Sequence, residues 1–212
     1  MRRSGVLRQT VVAILFMVLG LPLAGVANEP LHSDPVIQTT DRLLQARLEE
    51  IHRRSPLWRE ALEQLRGTRR KVFVVTPDKV VVKDRLDSPA GEPFDRSVLA
   101  AVAPVPGPDN RLDAVLVVVN LPLLQAMYLE GTAPPSGLHG DLDRILVHEV
   151  YGHALPYLLA GDLSGRCPDP GPRERAIHAC AVRRENAVRE ELRLGQRHGY
   201  GLEGLVLMRS TR

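Results

Sequence analysis

The sequence predicts an α+β fold, and three observations carry that reading. Apolar residues recur at helical spacing over 40–65 and again over 141–194. The β-branched runs are confined to the stretch between them, and no internal repeat or low-complexity block interrupts the order of helices, strands, helices. The 212 residues are enough for one domain with its own core, and 44% hydrophobic with 25% charged residues is the composition of a globular chain.

The N-terminus reads as a secretory signal over 1–27. Arg2, Arg3 and Arg8 make a basic start, 11–19 is an apolar core, and 21–27 ends in small residues with Gly25 and Ala27 at the −3 and −1 positions. The alternative, an uncleaved anchor, has too short a core for a span, and Pro22 interrupts its end. The formal charge of +3 belongs to this leader, because the rest of the chain carries 25 basic and 25 acidic residues. No basic-aromatic patch remains, which excludes nucleic acid as the expected partner. Export to the periplasm or the extracellular space is therefore expected, with no stable membrane insertion once the leader is removed. In an oxidising compartment Cys167 and Cys180 are expected to pair, at a gain of roughly 3 kcal/mol.

Residues 28–39 are polar with two prolines and read as a flexible tether, leaving 40–212 as a single domain. Leu43, Leu44, Leu48 and Ile51 mark a first helix with Thr40 or Asp41 as its cap. Ser55-Pro56 starts a second, carrying Leu57, Trp58, Ala61, Leu62 and Leu65, and Gly67 closes it. The runs 71–76 and 79–83 flank a Pro-Asp turn and predict a hairpin. A long loop with a short helix over 96–103 follows. The run 114–119 (AVLVVV) is the most apolar strand, either a buried core strand or an edge along which a peptide binds by strand addition. A helical stretch over 121–129 and a loop over 131–140 lead to two helices, 141–160 and about 172–194, joined by the Cys167 loop.

The chemistry concentrates in HEVYGH, 148–153, in the middle of the first of these helices. Two histidines at i, i+4 share one helix face and can share a zinc ion. Here they stand at i, i+5, which a regular helix separates by about 140°. A single π-type turn absorbs one residue and would bring them together. Gly152 gives the backbone latitude for it, and Pro156 lacks the N–H that would bond the Gly152 carbonyl. The next helix supplies a candidate third ligand, Glu185, where His178, Ala181, Glu185, Val188 and Leu192 form one stripe. A carboxylate in that stripe needs a metal or an ion pair, with Arg144, Arg189 or another arginine as partner. His178 shares the face as a spare ligand or as support behind the ligands. Arg183 and Arg184 read as the solvated side of the helix.

HEVYGH resembles the H-E-x-x-G-H zinc motif of the dipeptidyl peptidase III family. Glu185-Asn186…Arg189, with the later Arg197…Tyr200, resembles the E-N-x-x-R and R-x-x-Y segments of the small effector-type zinc metallopeptidases of enteric bacteria. Both families have the gluzincin arrangement of two His, one ligand Glu and one catalytic Glu. The chain departs from both: it is far shorter than dipeptidyl peptidase III, and it differs from the effectors in the inserted residue and the leader. The resemblance implies a zincin-like domain, a small mixed sheet packed on the zinc-binding helix and a following Glu-bearing helix. It implies zinc held by His148, His153 and Glu185, with Glu149 as the general base acting on a zinc-bound water. Tyr200 or His198 would stabilise the oxyanion, and Asn186 and Arg189 would orient the Glu185 carboxylate.

The expected function is that of an exported zinc metallopeptidase acting on a peptide or protein substrate. The alternatives are a non-catalytic exported protein that keeps the fold for binding or structure, and a zinc amidase of the cell wall.

Overall fold

The computed structural model describes residues 36–77, 81–82, 92–93, 98–107, 109–133, 136–164 and 177–198. The expected leader, Cys167 and Tyr200 lie outside these residues, as does the side chain of His178. Among the described residues no helix is long and apolar enough to cross a membrane.

Local sequence sets the first two helices as expected. The Asp41 carboxylate accepts from the N–H groups of Leu43 and Leu44 at 2.9 and 3.0 Å and caps α1 (Arg42–Arg54). Ser55 ends α1 through its N–H to the Ile51 carbonyl and caps α2 (Pro56–Leu65) by accepting from the Trp58 N–H at 3.0 Å, with Pro56 in the first turn. The two helices bury Leu44, Leu48, Ile51, Trp58 and Leu62 completely or nearly so. Each such side chain contributes on the order of 2 kcal/mol in removed apolar surface.

The strands depart from expectation. A four-stranded sheet runs in the order β1 (Ile37–Gln38), β2 (Lys71–Val75), β6 (Leu112–Val119), β5 (Ala100–Pro106). β1, β2 and β6 are parallel and β5 is antiparallel to β6. The hairpin expected at 71–83 is thus absent: β2 pairs with β1 and β6, while β3 (Val81–Val82) pairs with β4 (Glu92–Pro93) in a separate ribbon. The gain from pairing the alternating KVFVV with a strand buried on both faces outweighs the local turn signal. β1 falls in the expected tether, because Val36 and Ile37 are buried in the core beside Val72. The helix expected over 96–103 is replaced by β5, whose Pro104 and Pro106 tolerate only an edge strand. Run 114–119 is an interior strand, between β2 and β5, so its alternative reading as an edge is overturned.

Asn120 caps α3 (Leu121–Leu129) and donates to the Val98 carbonyl at 3.0 Å. α4 (Leu138–Leu146) begins three residues before Asp141, where the sequence places the start of this helix. Buried Asp141 instead joins Tyr128, Ser136 and Arg144 in one polar cluster. α5 (Leu155–Ala160) and α6 (Ile177–Leu192) complete the helices, and their apolar sides share one core with Val72, Val74, Val115, Val117 and Val119. The partly buried Arg47–Asp143 pair, bidentate at 2.7 and 2.6 Å, fixes α4 to α1.

Candidate metal centre

Between α4 and α5 the chain does what the i, i+5 spacing requires. Residues Val147–Ala154 form a π-helical segment, and regular α-helix resumes at Leu155, with Pro156 in its first turn. The wider turn stacks residues five apart. His148 and His153 come to lie with ring centroids 4.7 Å apart and planes at 89°. Ligand atoms of His148, Glu149 and His153 all lie within 4.8 Å of one another, so this group could hold a metal ion. The two histidines are 6% and 8% exposed, and Glu149 is half-buried.

Gly152 is needed for contact as well as for conformation. A Cβ at this position would stand 3.1 Å from the Ala181 carbonyl oxygen and 3.3 Å from the Ala181 Cβ. The glycine therefore lets the π segment lie directly on α6, which carries Glu185 toward the histidines. On the same interface Arg184 covers the π segment: its guanidinium sits 4.9 Å above the Tyr151 ring and Nε donates to the Tyr151 carbonyl at 3.4 Å. Tyr151 stacks on Trp58 at 6.1 Å. Arg184 is thus only partly on the solvated side where the sequence placed it, while Arg183 is exposed.

Glu185 is fully buried and meets three basic groups. Its Oε2 contacts Nδ1 of His148 and lies 3.7 Å from Nη1 of Arg197, while Oε1 lies 2.8 Å from Nη1 of Arg189. The Arg189 contact is an ion pair without hydrogen-bond alignment, so Oε1 is buried with no hydrogen bond. The ion pair with Arg189 that the sequence offered for Glu185 is present, and Glu185 also touches His148. The group of donors close enough to share one ion contains Glu149 rather than Glu185, which reaches the cluster through His148.

Burial pushes the Glu149 carboxyl up from 4.5 to about 7; the nearby Glu185 raises it further, and His148 and Arg197 oppose this. Burial likewise lowers Arg189 to about 10 against the pull of Glu185. His198 is exposed at the end of the described chain. Cys180 is buried in the first turns of α6 and is not a free thiol.

Two residues act differently from the sequence reading. Asn186 was expected to orient the Glu185 carboxylate, but its side chain holds the main chain of Arg197. Arg197 carries no role of its own in the sequence pattern. The signal for both was the asparagine inside a helix, where that residue is a poor former unless its amide has a partner. No protein-family model, curated protein or solved structure matches this chain.

Proposed function

We propose that this chain is an exported zinc metallopeptidase of the gluzincin kind. The observation that carries the reading is the π segment, which gathers His148, Glu149 and His153 at a spacing that a regular helix would spread apart. Two buried imidazoles beside one buried and one half-buried carboxylate are a donor set suited to zinc, and His148, His153 and Glu185 would hold the ion. Bound zinc supplies Lewis acidity toward a water and a scissile carbonyl. Glu149 takes the proton of the attacking water and returns it to the leaving amine. The antiparallel strand β5, which lies against the π segment, has one side that no described strand pairs, and it offers that side to an extended peptide by strand addition. His198 or Tyr200 is kept as oxyanion donor, and Cys167 with Cys180 as a disulfide.

A second reading rests on the contact between Glu185 and Nδ1 of His148. In it Glu185 orients His148, as carboxylates behind metal-bound histidines do. His148, Glu149 and His153 are then the ligands of a non-catalytic site. The variant Glu149→Gln separates the two readings. A peptidase keeps its metal and loses about 10²–10⁴-fold in hydrolysis of a peptide library, whereas the second reading loses the metal. Metal-free wild-type protein, purified without chelator, would sink both.

A further inference from the structure

We infer that Arg197 is a positioning residue of the metal site, carried to it by a strap, 193–198, that Asn186 clips onto α6. The inference rests on reading 148–153 as a metal site, and it holds whether Glu185 binds the ion or orients His148.

The strap begins where α6 ends. Arg193 has φ +58°, a left-handed conformation that a non-glycine residue adopts at a cost, and the chain reverses there. The turn is closed by the Arg193 N–H to the Glu190 carbonyl at 3.1 Å and the Leu194 N–H to the Arg189 carbonyl at 2.9 Å. Gly195, at φ +70°, supplies a second left-handed residue two positions on. From α4, Arg144 donates through Nε and Nη2 to the Leu194 carbonyl at 3.2 and 2.9 Å. From α1, Arg54 donates to the Leu192 carbonyl at 2.6 Å. The strap is therefore tied to the helix that runs into the π segment as well as to its own.

Asn186 then fixes the register. Its Nδ2 donates to the Arg197 carbonyl and its Oδ1 accepts from the Arg197 N–H, each at 2.7 Å. Both main-chain polar groups of one residue are held by one planar amide, which leaves the Arg197 side chain a single point of departure. That side chain is 12% exposed and ends with Nη1 3.7 Å from Glu185 Oε2. Its charge also acts on Glu149. The pattern Glu185-Asn186…Arg189…Arg197 thereby acquires a division of labour. Arg189, one turn on and 2% exposed, takes Oε1. Arg197 takes the side of Oε2, where His148 also lies. Two cations on two oxygens restrict rotation of the carboxylate, and Asn186 acts on it only through Arg197.

The test uses the full chain and the variants Arg197→Gln, Arg197→Lys and Asn186→Ala. Zinc affinity is measured by chelator competition, the cobalt-substituted protein by visible absorption, and folding by thermal melts of the metal-free chain. Loss of a group that orients a ligand typically costs 10–100-fold in metal affinity. Arg197→Gln and Asn186→Ala are expected to weaken zinc by at least about tenfold and to shift the cobalt bands, which report coordination geometry. Arg197→Lys is expected to recover most of the affinity. An Arg197→Gln protein with wild-type zinc affinity and cobalt spectrum overturns the inference. Should Arg197→Gln fail to fold, Asn186→Ala, which keeps the guanidinium, decides in the same way. Wild-type protein that takes up neither zinc nor cobalt overturns the metal site itself, a different failure from variants that match a zinc-binding wild type.

Discussion

Burial raises the Glu149 carboxyl from 4.5 to about 7, and this has a consequence for the metal-free chain. A carboxyl whose folded pKa is raised favours the fold only while it is protonated. Stability is unaffected below pH 4.5, falls as the pH climbs to 7, and stays reduced above it. Glu149→Gln removes that penalty. Thermal melts of the metal-free proteins should therefore place the variant above wild type at pH above 7, with the difference vanishing below pH 4.5. Equal melting temperatures at every pH would show that Glu149 is not buried as described. Removal of Arg189 has the opposite sign, because it leaves Glu185 buried without the ion pair at 2.8 Å. Arg189→Met should cost about 3 kcal/mol or more in a denaturant titration.

The π segment is the element on which the site depends, and its seat on α6 is tight. Gly152→Ala would put a Cβ 3.1 Å from the Ala181 carbonyl oxygen. In an ordinary helix that exchange stabilises by up to about 1 kcal/mol; here it should destabilise by about 1–3 kcal/mol, as overpacking does. Denaturant unfolding of the variant checks the sign. Ala181→Gly in the same chain should restore part of the loss, because it removes the Cβ at 3.3 Å while the carbonyl stays in place. This element was legible in the sequence because its causes are local: two histidines one residue too far apart, a glycine between them and a proline beyond. The strands were less legible, because their causes are distant. β2 reads as half of a hairpin until β6, some forty residues on, claims its edge. β1 is two residues long, and only burial against Val72 marks it. β5 has the alanines of a helix, and its two prolines were the better guide. Arg197 escaped for the same reason, since it reaches Glu185 only through a reversal that begins at Arg193.

At the scale of the molecule, the sheet and the first two helices make a platform for the pair formed by the π segment and α6. Trp58 stacks on Tyr151, and Glu191 at the end of α6 meets Ser55 and the Leu57 N–H at the start of α2. Metal binding at 148–153 should therefore stabilise the whole domain and not one helix. An ion that binds only the folded chain raises stability by about 2.7 kcal/mol at a hundred times its dissociation constant. Melting temperature should rise with added zinc and fall with chelator in wild type, and stay constant in His153→Ala. A rise of equal size in that variant would place the ion elsewhere. The most direct measurement of the central claim is metal content by elemental analysis of protein never exposed to chelator, with wild type beside His148→Ala and His153→Ala. About one zinc per wild-type chain is predicted, the content of a mononuclear site, with next to none in either variant. Wild type without metal, or variants that keep it, would contradict the claim.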